Sequence, residues 1–266
     1  MFTYVKLNNY RSLNNIIFDL RETKDKVKKI AAIYGENGSG KSNLVRSFYF
    51  LGRLLYSFEI EKNNIKFAEF FKDNDDSNLS SFFNEFMKNE SLASIYKNSR
   101  TIDCDDNTKI EFGFVIDGHE GNYTIEFNDA IVYERLYYYT GKQSGTIFEI
   151  DKNNIKEPKL ASSIFKSNKI KKEFKDLIEK YWGKHSMLAI TLDALNRLNE
   201  EYVKENVDGY LYDFHHMINE TSVNLLKRNA ENNIQSSKKL NFISDLENGD
   251  VSIENEWLLD NTEKII

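Results

Sequence analysis

The spacing of hydrophobic residues predicts strands at the start of the chain. Residues 2–7 and 16–20 are short runs rich in β-branched and aromatic residues, separated by a polar turn that contains Tyr10 and Arg11. A further run, residues 29–34, is apolar without alternation, which is typical of a strand buried on both faces. We therefore expect an antiparallel pair of strands followed by a buried strand.

Helical spacing begins after residue 42, where the apolar residues recur every three or four positions on one face. These residues are Leu44, Val45, Phe48, Leu51 and Leu55. Beyond Pro158 the same spacing predicts helices near residues 170–181, 188–202 and 211–225, with Gly183 separating the first two. The aromatic-rich stretch 59–104 predicts two short helices joined by an acidic loop at residues 73–76.

Between these helical parts, residues 105–151 alternate between apolar and polar as strands do. The runs that predict strands are residues 109–117, 122–127, 131–139 and 145–151. Asp117 ends an apolar run, as the catalytic carboxylate of an ATPase strand does. Because Gly118 follows it and a second strand run comes next, we assign Asp117 to a hairpin turn. The stretch therefore predicts an antiparallel meander.

Residues 35–42 read Gly-Glu-Asn-Gly-Ser-Gly-Lys-Ser and match the phosphate-binding loop pattern G-x-x-x-x-G-K-[ST]. Glycines allow successive backbone N–H groups to turn inward around a phosphate. Lys41, the one candidate catalytic residue, is expected to reach the β- and γ-phosphates of ATP, and the Ser42 hydroxyl to bind Mg²⁺. The predicted nucleotide-binding residues are Gly35, Glu36, Asn37, Gly38, Ser39, Gly40, Lys41, Ser42 and Asn43. The chain has no Asn-Lys-x-Asp guanine reader, so ATP is favoured over GTP.

A strand, a glycine loop and a helix in this order indicate an α/β protein with the fold of a P-loop NTPase. We divide the chain into a P-loop core at residues 1–58, a helical insertion at 59–104 and an antiparallel β-subdomain at 105–151. Residues 152–266 form the last segment, a helical region that we expect to continue into a missing C-terminal half.

The stretch Asn9-Tyr10-Arg11-Ser12 between two strands, followed by the loop and Asn43, resembles the N-terminal lobe of ABC-type ATPases of the SMC/RecF/OLD group. More narrowly, it is similar to bacterial AAA-family ATPases of the OLD-like kind found in phage-defence and abortive-infection systems. The resemblance is close over residues 1–55 and rests on pattern alone over 105–150. It implies that Arg11 lies near the bound nucleotide, a solvated turn arginine being the alternative. It also implies a homodimer or an effector subunit as partner.

Such an ATPase also needs a Walker B strand that ends in Asp-Glu and a Leu-Ser-x-Gly-type signature segment. Neither pattern follows residue 151, and the nearest apolar run, residues 210–214, has helical spacing. Hydrolysis by this chain alone is therefore left open. The leading hypothesis is an ATPase that gates an effector in phage defence. The alternatives are an ATP-binding interaction module without hydrolysis and a RecF/SMC-like DNA-repair ATPase.

Composition and charge limit the binding partners and the cellular compartment that we expect. A net charge of −6 and a pI near 5.4 give no basic footprint of a nucleic-acid binder, so DNA is an alternative partner rather than the expected one. A single cysteine, Cys104, fits a reducing cytoplasm, and no stretch approaches the roughly 18 apolar residues of a membrane span. His215 and His216 beside Asp213 point about 100° apart on a helix, so we assign no metal site there.

Overall fold

A seven-stranded antiparallel sheet is the largest element of the computed structural model, which describes residues 1–23, 26–72, 91–139, 144–197 and 200–221. Its strand order is β2-β1-β5-β6-β7-β8-β9. The strands are β1 (Phe2–Asn8), β2 (Ile16–Asp19), β5 (Thr108–Ile116), β6 (His119–Phe127), β7 (Ile131–Tyr139), β8 (Ser144–Asp151) and β9 (Lys159–Leu160). Two short strands, β3 (Arg21–Thr23) and β4 (Lys26–Val27), pair with each other. The strands predicted at the N-terminus and in the meander are confirmed, and they share one sheet.

The helices of the described residues lie near the predicted positions, except that the helix predicted at 211–225 ends at Asn219 and helical residues continue to Asn206, beyond the predicted end at 202. They are α1 (Lys41–Leu55), α2 (Ser57–Lys72), α3 (Leu92–Lys97), α4 (Asn168–Tyr181), α5 (Met187–Arg197), α6 (Glu200–Asn206) and α7 (Tyr210–Asn219). Gly183, with φ of 97°, separates α4 from α5 as predicted. The acidic loop predicted at 73–76 and the chain beyond residue 221 lie outside the described residues. None of the described helices is long and apolar enough to cross a membrane.

One face of the sheet packs against α1, the helix that follows the glycine loop. On β5 the alternate residues Ile110, Phe112 and Phe114 are fully buried. Helix α1 contributes Phe50, whose ring stacks on Phe127 of β6 with centroids 4.9 Å apart. The alternate residues of β5 and the apolar face of α1 therefore share one core, and this core holds the start of α1 beside the first strands.

The hairpin between β5 and β6 explains the position of Asp117. Ile116 is paired with His119, which leaves Asp117 and Gly118 as a two-residue turn. Both have positive φ, 50° and 78°, as the type I′ turn of a hairpin requires. Asp117 is therefore a turn residue, as predicted, and not a catalytic carboxylate at a strand end.

The buried strand predicted at residues 29–34 is wrong. The segment pairs with none of the described strands, and the side chains of Ile30 and Tyr34 are 87% and 90% exposed. A strand that is apolar on both faces is buried only where other strands flank it and other layers cover it. The strands of the described residues pair with one another elsewhere, so this segment has no flanking strand among them, and within it Ile33 alone is partly buried against the core.

Candidate functional site

The glycine loop ends in the first turn of α1. Gly38 and Gly40 have φ of 87° and 88°, in the left-handed region that residues with a side chain rarely adopt. The Leu44 N–H donates to the Gly40 carbonyl at 3.0 Å, which is the first hydrogen bond of the helix. Gly40 thus sets the direction in which the loop enters α1.

The N-terminus of α1 is open to a ligand. No side chain caps it, and its first turn contains no acidic residue. The first N–H groups of a helix have no partner within the helix, and the helix dipole adds positive potential at this end. These features together favour an anion at the start of α1.

Lys41 closes the loop upon itself. Its Nζ donates to the carbonyls of Gly35 at 2.7 Å and Glu36 at 2.5 Å, and to Ser39 Oγ at 3.3 Å. All three acceptors are neutral, and Lys41 forms no ion pair with any described residue. Phosphate oxygens are stronger acceptors for an ammonium group than neutral oxygens. Lys41 can therefore move onto a phosphate without breaking a salt bridge.

The turn between β1 and β2 packs directly against the glycine loop. Asn43 Nδ2 donates to Ser12 Oγ at 2.8 Å. Leu13 lies so close to Gly40 that a Cβ built on Gly40 would be 2.4 Å from Leu13 Cδ2. Gly40 is therefore required both by its φ and by the close approach of Leu13.

Arg11 lies in this same turn, with φ of 52°, and its N–H donates to the Ser99 carbonyl at 3.1 Å. Burial raises the pKa of Tyr10, and the neighbouring guanidinium groups of Arg11 and Arg46 oppose that rise. The Nε atoms of Arg11 and Arg46 are both buried, and neither has a hydrogen-bond partner in the part of the chain that the structure describes. Arg11 and Arg46 of α1 therefore both lie near Tyr10, in the turn whose next residues, Ser12 and Leu13, contact the loop. Arg46 was not predicted, since its place on the helix carries no motif.

The remaining predicted residues lie on the exposed part of the loop. Glu36, Asn37 and Ser39 are exposed, and the Ser39 N–H donates to the Glu36 carbonyl at 3.3 Å. Ser42 is exposed in the first turn of α1, and its hydroxyl forms no hydrogen bond with the described residues. That hydroxyl is therefore available to a cation beside the loop.

A buried serine, a buried histidine and a half-buried glutamate form a second cluster. The Ser57 hydroxyl is 2.9 Å from Nδ1 of His185, and Nε2 of the same ring is 2.9 Å from Glu61. These three side chains are arranged as in a catalytic triad, with a serine, a histidine and an acid joined by hydrogen bonds. Ser57 is only 1% exposed, however, and cannot reach a substrate. Burial lowers the pKa of His185, and Glu61 opposes this change. The cluster fixes α2 to the start of α5.

Glu134 is a fully buried carboxylate of β7. It accepts hydrogen bonds from Tyr123 Oη at 2.8 Å, Trp182 Nε1 at 2.8 Å and the Met187 N–H at 2.8 Å. Burial raises the pKa of Glu134 to about 7, while its donors act in the opposite direction. This carboxylate joins the sheet to the N-terminus of α5, so its role is structural.

The adjacent histidines of α7 do not converge. His215 is buried with its Nε2 3.0 Å from Thr191 Oγ1, and burial lowers its pKa to about 4. His216 is exposed, with Nδ1 3.6 Å from the Glu220 carboxylate. Over the described ranges, no group of three or more His, Cys, Asp or Glu side chains could hold a metal ion.

The sequence matches the model of a known protein family. A family model described as "AAA domain, putative AbiEii toxin, Type IV TA system" matches residues 30–246. The match includes the glycine loop and α1, and begins after the turn that contains Arg11. No curated protein matches the chain. No solved structure matches it either.

Proposed function

The chain belongs to this family of AAA domains, and from that premise we propose that residues 35–43 bind ATP together with Mg²⁺. Family membership makes the chain a P-loop NTPase with ATPase-type nucleotide binding. The observation that carries the proposal is the placement of Lys41, whose ammonium group rests on loop carbonyls at the uncapped N-terminus of α1.

The residues present fit both the phosphates and the metal. The N–H groups of the loop and of the first turn of α1 would hold the phosphates, and Lys41 would contact the β- and γ-phosphates. The Ser42 hydroxyl would bind Mg²⁺, which supplies positive charge between the phosphates when it is bound. Since no acidic cluster gathers among the described residues, the other metal ligands would be nucleotide oxygens and water.

We further propose an ABC-type lobe of the SMC/RecF/OLD group, with Arg11 beside the nucleotide. In support, the turn that contains Arg11 contacts the loop through Leu13 and Ser12, although Leu13 is 27 positions from Gly40 and Ser12 is 31 positions from Asn43. The first two strands and the meander also share one sheet that packs on α1. The division of the chain at residues 58, 104 and 151 remains a prediction.

The biological role that we propose is the gating of an effector in bacterial phage defence. ATP binding would clamp this chain to an effector or to a second copy, and hydrolysis would release it. The family description, which names a toxin of a type IV toxin–antitoxin system, is consistent with an effector partner. The net charge of −6 does not favour DNA as the partner.

A nucleotide-dependent interaction module without hydrolysis is the second candidate. The exposed apolar segment 30–34 favours it, because Ile30 and Tyr34 lie uncovered directly before the loop. A partner that covers these side chains would be bound next to the nucleotide. Binding of ATP could then change the partner's affinity without any bond being broken.

Two measurements on the same preparation test these proposals. A fluorescent ATP analogue should bind saturably with Mg²⁺ and more weakly with EDTA, since Ser42 would help to hold the metal and its positive charge would stabilise the bound phosphates. Phosphate release separates the two candidates, because turnover supports the ATPase and binding without turnover supports the module. Absence of saturable binding would refute both.

A further inference from the structure

The turn at residues 9–13 has an unusual backbone. Asn9 and Arg11 have φ of 51° and 52°, which residues other than glycine adopt infrequently. Between them Tyr10 is 1% exposed, so its ring fixes the turn to the core. Such conformations cost free energy and persist only where surrounding contacts hold them.

The contacts that hold the turn come from residues about 90 positions later in the chain. The carbonyl of Asn9 accepts from Thr108 Oγ1 at 2.8 Å and from the Thr101 N–H at 3.1 Å. The Arg11 N–H donates to the Ser99 carbonyl at 3.1 Å. Thr108 is fully buried at the start of β5, which makes it the most firmly placed of these partners.

The opposite side of the turn contacts the glycine loop. Ser12 accepts from Asn43, and Leu13 lies against Gly40. A continuous series of contacts therefore runs from Thr108 through the Asn9 carbonyl and the turn to the start of α1.

We infer that Thr108 is a positioning residue for the nucleotide site. It acts through the Asn9 carbonyl, which keeps the turn in the conformation that places Leu13 against Gly40 and Ser12 within hydrogen-bond distance of Asn43. The inference rests on the proposed ATP binding by residues 35–43. If the turn relaxes, a smaller fraction of molecules is competent to bind, and the apparent Kd rises in inverse proportion to that fraction.

Three variants test the inference by titration with a fluorescent ATP analogue in the presence of Mg²⁺. Thr108→Val removes the hydroxyl and keeps the shape, and we expect binding about three- to tenfold weaker. Thr108→Ser keeps the hydroxyl and should restore wild-type affinity. Thr101→Val is the matched control, because Thr101 Oγ1 is buried and has no hydrogen-bond partner among the described residues. It should bind like the wild type. Equal affinity of Thr108→Val and the wild type would overturn the inference.

A variant protein that lacks the contacts between the turn and the loop distinguishes a positioning role of Thr108 from a general loss of structure. In Ser12→Ala/Leu13→Ala, the Thr108→Val change should alter the Kd less than about twofold, since the route to the loop is already cut. The same fold-change in both backgrounds would show that Thr108 acts by another route.

Hydrogen exchange on the wild-type protein tests the same coupling without any substitution. Coupling between two sites is reciprocal, so nucleotide binding should stabilise the turn and slow exchange of its amides. The amides to follow are those of Arg11 and Thr101, which donate to the carbonyls of Ser99 and Asn9. Unchanged exchange of both amides at saturating nucleotide would contradict the inference. Failure of the wild type to bind nucleotide would instead refute the proposed function.

Discussion

Replacing Gly40 with alanine adds one methyl group at the point where the N-terminal turn meets the glycine loop. The new Cβ would lie 2.4 Å from Cδ2 and 3.3 Å from Cγ of Leu13, and 3.4 Å from Ser12 Oγ. Gly38 is the matched control, because its φ of 87° is nearly the same and nothing lies within 4 Å of its Cβ position. The two substitutions differ mainly in the contact with Leu13.

The expected costs follow from these two features. An alanine held in the left-handed region costs about 1–2 kcal/mol, and both variants bear this cost. Overpacking against Leu13 adds about 1–3 kcal/mol for Gly40→Ala alone, since Leu13 is 8% exposed and has little space to move. We therefore predict that Gly40→Ala lowers the free energy of unfolding by about 2–5 kcal/mol, and Gly38→Ala by about 1–2 kcal/mol.

Urea unfolding followed by circular dichroism measures both values, and a double-mutant cycle with Leu13→Ala locates the cause. Shortening Leu13 should remove the clash, so the double variant should be less destabilised than the sum of the single variants by about 1–3 kcal/mol. Equal destabilisation by Gly38→Ala and Gly40→Ala, or strict additivity with Leu13→Ala, would refute the close packing of the turn on the loop.

The remaining predictions concern two buried titratable groups with opposite effects on stability. The pKa of Glu134 is about 7 in the folded protein against 4.5 in the unfolded chain. The favourable contribution of this shift to the free energy of unfolding is therefore fully present below pH 4.5 and is lost as the pH rises through 7. Glu134→Gln should remove this loss. The free energy of unfolding, measured between pH 4.5 and 7.5, should therefore depend less on pH near the upper end of that range. His215 behaves in the opposite way, since its pKa falls from 6.5 to about 4. The favourable contribution of this shift to the free energy of unfolding, up to about 3 kcal/mol, is fully present above pH 6.5 and is lost as the pH falls through 4. His215→Phe should therefore flatten the decline in stability at acidic pH, and an unchanged decline would show that His215 is not its source.

Local patterns in the sequence were sufficient for most of the fold. Alternation over residues 109–151 gives the four meander strands, because side chains on a strand point to opposite faces whatever the strand's partners are. The motif at residues 35–42 likewise gives the loop and the start of α1, since its glycines specify a backbone conformation.

The failed prediction and the unforeseen contacts both involve distant parts of the chain. Residues 29–34 have the composition of a buried strand, but burial depends on neighbours that the segment itself does not contain. The hydrogen bond from Thr108 to Asn9 and the approach of Leu13 to Gly40 join residues 99 and 27 positions apart. No spacing rule connects such pairs, so only the folded structure reveals them.

The role of Lys41 is the centre of the proposed function, and calorimetric titration with a non-hydrolysable ATP analogue and Mg²⁺ tests it most directly. Lys172→Ala is a suitable control, because Lys172 is exposed on α4 and forms no ion pair with the described residues. The wild type and Lys172→Ala should bind one nucleotide per chain with equal affinity. Lys41→Ala should bind at least about tenfold more weakly, since the charge that meets the β- and γ-phosphates is gone. Equal affinity of Lys41→Ala and the wild type would contradict the assignment of residues 35–43 as the nucleotide site.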